Sequence, residues 1–392
     1  MTTTAPRKPQ ILKGFRDYLP KTMLTRQRVI ATFRDIFERH GFEPIDTPAL
    51  EYLEVLTGKA GENERLMYHF VDQGGREIGL RYDLTVPLAR VVAMHQNDLV
   101  LPFKRYHIAP VWRAEKPQRG RFREFWQCDA DIVGVSTALA DAEIVGIMAE
   151  TLAAVGLGNA VIHINHRRLL EAVARFAGVG EERSSTLFRA IDKLDKIGVD
   201  AVSRELTNDG VSSEAVERVL SIVSLRGTPS DLLDDLDERL CEDPLAVGAI
   251  WDLRELFLNL EAMNIPPARY DFDLALARGL DYYTGPVFEA VVDEPKIGSV
   301  AGAGRYDELI GTFLGRTIPA TGMSLGVERI VDVIEEFGLM PSPQSVAELF
   351  VAVFPDTISA SMGIAHQLRE GGIRVDLGLQ PNRSLGEQLK YA

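Results

Sequence analysis

Cationic and aromatic side chains gather in one stretch of the sequence, between Phe103 and Gly134, where they are suited to bind an anionic ligand. Seven Lys or Arg residues and two Glu residues lie between Lys104 and Glu124, although the whole chain has a net charge of −14. An arginine stays charged when it is buried, and its planar guanidinium can hold two phosphate oxygens at once. A local basic patch of this kind can bind phosphate even in an acidic protein.

Two extended runs are predicted in this stretch, Lys104–Trp112 and Arg123–Val133, and side chains two residues apart share a face of a strand. The alternation places Arg113 and Glu115 together at the end of the first run. The second run collects a cation, an aromatic ring, an amide and two carboxylates on one face: Arg123, Phe125, Gln127, Asp129 and Asp131. Polar groups on the inward face of a sheet are costly unless they bind something, but a charged hairpin with cross-strand ion pairs fits the same pattern.

A second polar group lies at Arg81–Thr85, where a predicted strand meets a predicted helix. Thr85 stands directly before Val86 and Pro87 and is predicted to be the N-cap of that helix. Asp83 beside it is suited to pair with an ammonium group. The segment is therefore either a helix cap alone or part of a site for a cationic ligand.

Two later segments combine glycine with polar or aromatic side chains. Arg278–Gly285 contains Tyr282 and Tyr283, whose hydroxyl groups are carried on rigid rings, and a tight hairpin turn explains the same residues. Gly302–Asp307 matches neither GxGxxG nor Walker A, so it indicates a phosphate loop only weakly.

Arg329 lies in the first turns of a predicted helix, where a buried arginine needs an anion from the protein or from a ligand.

Length and composition limit the class of protein. The chain has 392 residues, of which 46% are hydrophobic and 26% are charged, as expected for a globular protein of two or three domains. Cys128 and Cys241 are too few for a disulfide framework, and the histidines show no convincing metal-ligand spacing. No run approaches 18 apolar residues and the N-terminus has no apolar signal core. We therefore expect a cytoplasmic protein with no membrane span and no metal site.

The elements that must position these residues follow from the apolar periodicity. Helices are predicted at Thr22–His40, Leu84–His95 and Ala138–Val155, and residues 171–260 form a helical insertion with an acidic, solvated face at Asp231–Asp243. β character then returns, with a glycine-rich turn predicted at Val300–Gly304. Two further helices are predicted at Asp307–Leu314 and Leu325–Phe337.

A proline- and serine-containing linker, MPSPQS, precedes a β-α-β pattern near the C-terminus, with strands at Leu349–Phe354 and Arg374–Leu377. The pattern stops at Ala392, after too few residues to close a doubly wound sheet. We expect either an incomplete α/β domain or a small cap.

Taken in order, these segments resemble the histidyl-tRNA synthetases, a family of class II aminoacyl-tRNA synthetases. Five segments carry the resemblance: Lys13–Asp17 at the start, the helix and strand through Pro48 as dimer-forming motif 1, Arg113–Phe125 as motif 2, Arg278–Tyr283 as the peptide peculiar to histidyl enzymes, and Gly322–Arg329 as motif 3. The match runs through most of the chain.

The resemblance implies an α+β fold of the class II synthetase type, with a mixed, mainly antiparallel sheet flanked by helices. It implies a catalytic domain in two parts, 1–170 and 261–338, that are separated by the helical insertion at 171–260. Residues 346–392 would be the start of an anticodon-binding α/β domain that is incomplete.

The resemblance also implies roles for the residues above. Histidine binding would involve Asp83, Leu84, Thr85, Arg113, Gln127, Asp131, Arg278, Tyr282 and Tyr283. Within that set, Asp83, Thr85 and Gln127 would hold the α-amino and carboxylate groups, while Asp131 and Tyr283 would hold the imidazole. ATP binding would involve Arg113, Glu115, Arg121, Phe125 and Arg329, with Phe125 against adenine. Arg113 and Arg278 would be the catalytic residues, on either side of the α-phosphate.

The implied activity is ATP-dependent activation of histidine followed by transfer to tRNA(His), with Mg²⁺ accompanying ATP and with a homodimer as the working form. One alternative is a regulatory paralogue of ATP phosphoribosyltransferase, which would bind histidine without aminoacylation. A binding-only protein has no need of the four arginines Arg113, Arg121, Arg278 and Arg329, which favours the synthetase. A generic nucleotide-binding α+β protein is the third possibility.

Overall fold

The structure, a computed structural model, describes residues 8–57, 66–118, 120–277, 282–292, 298–341 and 344–392, without the side chains of Glu181 and Asp195. The chain divides into two units. The first comprises the residues up to Arg16 together with Val29–Met340, and the second comprises Asp17–Arg28 together with Pro341–Ala392.

The strands and helices of the described residues have the following bounds. The strands are β1 (Glu43–Pro44), β2 (Leu50–Tyr52), β3 (His69–Val71), β4 (Glu77–Leu80), β5 (Phe103–Trp112), β6 (Glu124–Val133), β7 (Val161–His166), β8 (Tyr270–Phe272), β9 (Pro286–Val292), β10 (Gly298–Arg305), β11 (Ala320–Gly326), β12 (Leu349–Val351) and β13 (Val375–Leu377). The helices are α1 (Pro20–Arg39), α2 (Leu53–Leu56), α3 (Thr85–Met94), α4 (Ala138–Ala154), α5 (Arg167–Phe176), α6 (Glu181–Ile191), α7 (Leu194–Ile197), α8 (Val199–Asn208), α9 (Ser213–Val223), α10 (Pro229–Leu240), α11 (Pro244–Ala262), α12 (Gly311–Leu314), α13 (Val327–Phe337), α14 (Ile358–Glu370) and α15 (Leu385–Tyr391).

The first unit is built on a large sheet whose described strands have the order β1-β5-β6-β11-β10-β9-β7-β8. The end pairs β1–β5 and β7–β8 are parallel, and every pair between them is antiparallel. A small antiparallel sheet, β2-β4-β3, stands apart and contains the hairpin of β3 and β4, whose turn lies at Asp72–Gly75. The α+β fold with a mainly antiparallel sheet is therefore confirmed.

Helix α4 forms the centre of the main core. It is apolar around nearly its whole circumference, as expected of a helix that is covered on all sides. Its residues Ile144, Ile147 and Met148 are fully buried and belong to the same apolar cluster as Phe33 and Phe37 of α1. α4 also packs against α11, so the helical insertion shares this core.

The predicted helical insertion is present as the run from α5 to α11. Helix α10 illustrates the amphipathic pattern, because Leu232, Leu236 and Leu240 are buried while Asp234 and Asp235 are exposed. The acidic stretch at this helix is a solvated face, as predicted.

Two elements after the insertion differ from prediction. Val300–Gly304 was predicted to be a turn, but it lies inside strand β10, where β9 and β11 pair with it on both sides. Glycine and alanine are poor strand formers alone, so the neighbouring strands decide the conformation. The helix predicted at Asp307–Leu314 is limited to α12, Gly311–Leu314.

The second unit contains a parallel pair of strands, β12 and β13, joined by α14, which is the predicted β-α-β pattern. Ser384 begins α15 with a capping box, in which Glu387 bonds back to its backbone. Across the chain, none of the helices that the structure describes has both the length and the apolar character needed to cross a membrane.

Candidate active site

A cleft of about 960 Å³ opens on the face of the large sheet formed by β6, β10 and β11. It brings together side chains that lie in four separate segments of the sequence. The predicted residues that line it are Asp83, Thr85, Arg113, Glu115, Arg121, Phe125, Gln127, Asp131, Tyr282, Tyr283 and Arg329. Buried carboxylates and phenols collect at one end, the carboxylate end (Asp83, Gln127, Asp131, Tyr282, Tyr283). Arginines and Phe125 collect at the other, the cation end (Arg113, Arg121, Phe125, Arg329).

Not every predicted residue reaches the cleft. The Leu84 side chain is fully buried and packs with Ala109 and Val111, so only the Leu84 backbone faces polar groups. Asp129 shares a strand face with Gln127 and Asp131 but is buried below the cleft surface. Arg278 lies outside the described residues, as do the three residues that follow it.

The segment from Asp83 to Thr85 is organised by a helix cap, but the capping residue is not the predicted one. α3 begins at Thr85, and the Asp83 Oδ1 accepts the hydrogen bond from the Val86 backbone N–H at 3.1 Å. The carboxylate caps the helix because it reaches the first free N–H groups, which the Thr85 hydroxyl does not do here. The other Asp83 oxygen, Oδ2, is buried with no hydrogen-bond partner among the described residues.

Burial controls the electrostatics of the carboxylate end. It raises the pKa of Asp83 to about 6, against the lowering effects of the Val86 N–H and of Arg113 and Arg105. Burial also raises the pKa of Asp131, which Arg105 and the Tyr306 hydroxyl oppose. The Arg105 guanidinium lies 2.7 Å from Asp131 Oδ2, and the Tyr306 hydroxyl donates to Asp131 Oδ1.

Arg105 and Tyr306 are residues to which the sequence analysis assigned no role. The sequence did contain one indication of a role for Arg105, because alternation places this arginine on the inward side of β5. In the register of β5 and β6 it lies directly opposite Asp131. Recognising that pair needed the register of the two strands. Tyr306 approaches Asp131 from 175 positions away in the chain.

Tyr282 and Tyr283 complete the carboxylate end. Their rings meet edge to face, with centroids 5.1 Å apart. Burial raises the pKa of the Tyr283 hydroxyl well above its ordinary value, and the nearby carboxylates of Asp131 and Asp129 raise it further. Both phenols are therefore neutral hydrogen-bonding groups at physiological pH. The Tyr283 ring lies over Gly304, where an added Cβ would come within 2.7 Å of it.

The cation end is held by backbone carbonyls. Arg113 follows strand β5, donates from Nε to the Tyr82 carbonyl at 2.9 Å, and has its guanidinium 5.2 Å from the centroid of Phe125. Arg329 donates from Nε to the Gly120 carbonyl at 3.0 Å. Arg121 lies 3.8 Å from Glu115. The carbonyl bonds hold Arg113 and Arg329 in the cleft wall, while Arg121 is half-exposed beside Glu115.

The segment near the N-terminus supports the loop between β5 and β6. Arg123 donates its backbone N–H to the Gly14 carbonyl at 2.8 Å, and the Arg16 guanidinium lies 4.0 Å over the Phe122 ring. Gly14 has a φ of +90°, and an added Cβ would come within 2.8 Å of the Arg123 side chain. The glycine is thus required by both the backbone conformation and the close approach.

The helical insertion forms part of the cleft wall, a role that the sequence did not predict. Its contribution mixes cations with an aromatic ring and small polar groups: Arg167, Ser185, Phe188, Arg189, Asp192 and Lys193. The cleft is therefore bounded by the sheet on one side and by the insertion on another.

Comparisons with known proteins place this architecture in a family. The model of the histidyl-tRNA synthetase family matches residues 14–330. The chain is 43% identical to the histidine–tRNA ligase of Rhodopirellula baltica, over 98% of this chain and 87% of the relative. It is 46% identical to the histidine–tRNA ligase of Aeropyrum pernix, over 95% of this chain and 85% of the relative.

Solved structures agree with this placement. A histidyl-tRNA synthetase from Nostoc sp. PCC 7120 has a TM-score of 0.88 and 33% identity, and the match covers 99% of this chain and 89% of that one. A Bacillus halodurans protein described as an ATP phosphoribosyltransferase regulatory subunit/histidyl-tRNA synthetase has a TM-score of 0.83 at 24% identity, and covers 99% and 97%. That second likeness shows the fold alone. Because the family model matches residues 14–330 and the relatives match nearly the whole chain, this chain belongs to the histidyl-tRNA synthetase family.

Proposed function

We propose that this chain activates histidine with ATP and transfers the histidyl group to the 3′ end of tRNA(His). The observation that carries the proposal is a single cleft with buried carboxylates at one end and fixed arginines at the other, in a member of this family. The extent of the match to histidine–tRNA ligases favours this activity over the regulatory alternative, whose fold is the same.

The proposed chemistry consists of two displacements. A histidine carboxylate oxygen attacks the α-phosphorus of ATP, and the bond from that phosphorus to the bridging oxygen breaks, so that pyrophosphate leaves and histidyl-adenylate remains. A ribose hydroxyl at the tRNA end then attacks the carbonyl carbon, and AMP leaves with the former carboxylate oxygen. Catalysis of such phosphoryl transfer depends on positioning and on stabilising the negative charge of the transition state.

We place histidine at the carboxylate end. The Asp83 Oδ2 and Gln127 Oε1 atoms are buried and have no hydrogen-bond partner among the described residues, so they are available as acceptors for the α-ammonium group beside Thr85. The Leu84 backbone belongs to the same segment. Asp131 and Tyr283 would hold the two imidazole nitrogens, with Tyr282 behind Tyr283. A neutral imidazole offers one donor and one acceptor, which a carboxylate and a phenol match.

We place ATP at the cation end, with adenine against Phe125 and the motif 2 loop of Glu115 and Arg121 around the nucleotide. Arg113 lies between the two ends and would bind the α-phosphate, while Arg121 and Arg329 would bind the outer phosphates. Arg278 would approach the α-phosphate from the other side by its place in the family's peptide. Mg²⁺ is expected to enter with ATP as part of the substrate, since it keeps water and phosphate ligands.

The wider assignments are proposals of the same kind. We propose a homodimer and a cytoplasmic location, where tRNA charging takes place. We also propose that 1–170 and 261–338 form the catalytic domain, that 171–260 is an insertion and that 346–392 belongs to an anticodon-binding domain.

Amino-acid-dependent exchange of radiolabelled pyrophosphate into ATP tests the proposal. We expect exchange with histidine and a background rate with no amino acid, since the adenylate forms reversibly only with the cognate side chain. Exchange that is equally strong with glutamine or asparagine would contradict the assignment of histidine. Folded protein that binds histidine but supports no exchange would favour the regulatory alternative. Charging of a tRNA(His) transcript then tests the second step.

A further inference from the structure

Arg105 occupies an unusual position for a charged residue. It lies in the middle of strand β5 and its side chain has no solvent exposure. Its Nη2 lies 2.7 Å from Asp131 Oδ2 and donates to the Leu84 carbonyl at 3.3 Å. A guanidinium is rarely buried to this extent unless it is paired with an opposite charge.

The two partners of Arg105 belong to two different halves of the proposed histidine site. Asp131, on β6, is the proposed acceptor for the imidazole. Leu84 lies between Asp83 and Thr85, the proposed ligands of the ammonium group. The buried Arg105 guanidinium therefore connects the strand proposed to bind the histidine side chain to the segment proposed to bind the histidine α-amino group. Arg105 itself does not line the cleft.

Arg105 is also the cation shared by the buried carboxylates of this region. It lowers the pKa of Asp83, Asp129 and Asp131 against the raising effect of burial. The charged and titratable groups on which it acts lie on several elements around it: Asp83 before α3, His107 on β5, Asp129 and Asp131 on β6, and Tyr306 after β10. Without this cation, burial would favour the protonated carboxyl groups more strongly.

We propose that Arg105 is a positioning residue for histidine, which keeps Asp131 ionised and holds it at a fixed distance from the Asp83–Thr85 segment without touching the substrate. The proposal rests on the proposed function. It goes beyond it in assigning substrate affinity to a residue that lies outside the cleft. It predicts that the loss of Arg105 weakens histidine binding in a way that depends on pH.

The test uses Arg105→Gln in the pyrophosphate exchange assay. At pH 7 we expect the KM for histidine to rise about tenfold or more, while the KM for ATP stays within about threefold of the parent. As the pH is raised toward 9, the carboxyl groups ionise again, so the ratio of variant to parent KM for histidine should fall. Arg105→Lys, which keeps the positive charge, should recover most of the affinity at pH 7.

Several results would overturn the proposal. These are a parental KM for histidine in Arg105→Gln, an equal rise in the KM for ATP, or a rise that is the same at every pH, which a merely structural role would produce. If Arg105→Gln does not fold, as judged by circular dichroism, Arg105→Lys takes its place. Lysine keeps the positive charge but replaces the planar guanidinium that donates to the Leu84 carbonyl. In that variant we expect a KM for histidine within about threefold of the parent, and a rise of about tenfold or more, or an equal rise for ATP, overturns the proposal.

Failure of the proposed function can be distinguished from failure of the proposed role of Arg105. If the parent shows no histidine-dependent exchange, the proposed function fails. Histidine binding to parent and Arg105→Gln is then compared by calorimetry, which needs no turnover. A weaker affinity in the variant that recovers as the pH rises supports the role of Arg105, and equal affinities at pH 7 refute it.

Discussion

Asp129 and Asp131 lie on the same face of one strand, yet their surroundings make them different groups. Asp131 has Arg105 at 2.7 Å and accepts from the Tyr306 hydroxyl. Asp129 is buried below the cleft, and burial raises its pKa to about 8, with the Asp131 and Asp83 charges adding to the rise and Arg105 opposing it. At neutral pH Asp129 is therefore mostly a neutral acid that can donate a hydrogen bond.

The raised pKa of Asp129 predicts a pH-dependent stability. Because the folded-state value of about 8 exceeds the ordinary 3.8, the unfolded chain releases this proton first, and stability falls as the pH rises from about 4 to about 8. Asp129→Asn removes the titration. We expect its free energy of unfolding, relative to the parent, to increase across that window by at most about 1.4 kcal/mol per pH unit.

Urea unfolding followed by tryptophan fluorescence at pH 5, 6, 7 and 8 measures the difference. Asp235→Asn, at an exposed position of α10, is the matched control and should leave the pH dependence as in the parent. A stability difference between Asp129→Asn and the parent that does not change with pH would show that Asp129 does not titrate in this range.

At the scale of elements, strands β10 and β11 are rich in small residues because the side chains of Tyr283 and Asp131 lie against them. Gly322 on β11 is paired with Asp131 on β6, and an added Cβ at Gly322 would clash with the Asp131 Oδ1. Gly304 on β10 is covered in the same way by Tyr283. The two glycines thus allow the proposed imidazole ligands to lie flat against the sheet, which explains why this stretch resembles a turn in sequence but forms the floor of the site.

Gly322→Ala should displace Asp131 and leave the fold of the strand in place. We expect the KM for histidine in pyrophosphate exchange to rise at least about tenfold, with a loss of stability of about 1–3 kcal/mol from the overpacked contact. Gly248→Ala on α11 is the control, since its added Cβ meets no atom of the described residues within 4 Å. A parental KM for histidine in Gly322→Ala would show that Asp131 can move without loss of binding or that it does not bind the imidazole.

At the scale of the molecule, the small sheet exposes an apolar surface. Leu50 and Tyr52 on β2 and Phe70 on β3 are each between 42% and 51% exposed, and the pairing of both strands with Ile78 of β4 places Tyr52 and Phe70 on the same face. Clustered apolar exposure of this kind is typical of a protein interface. The segment adjoins the strand that resembles motif 1, so this surface supports the proposed two-fold pairing of subunits.

Light scattering at micromolar concentration should give twice the 43.4 kDa of one chain. Phe70→Glu, which puts a charge into the proposed interface, should shift the mass toward that of a monomer. Leu258→Glu, on the exposed face of α11, is the control and should leave the mass unchanged. A parent that scatters as a monomer would contradict the proposed homodimer.

Local patterns in the sequence were sufficient for the elements whose own residues decide their conformation. Alternation over Lys104–Val133 predicted β5 and β6 and the face that carries Phe125, Gln127 and Asp131. Periodicity predicted α1, α3, α4 and the helical insertion, and the type and order of the motifs indicated the family that the comparisons then confirmed. Such features are readable because each depends on residues that are neighbours in the chain.

Only the tertiary structure decided how those pieces meet. The pairing of Arg105 with Asp131 depends on the register of two strands, and the strand conformation of Val300–Gly304 depends on hydrogen bonds from both neighbours. The cap on α3 comes from Asp83 instead of Thr85. The physical reason is that burial and strand register bring together groups far apart in sequence, so the cost of an unpaired charge, or the space for a Cβ, exists only once the chain is folded.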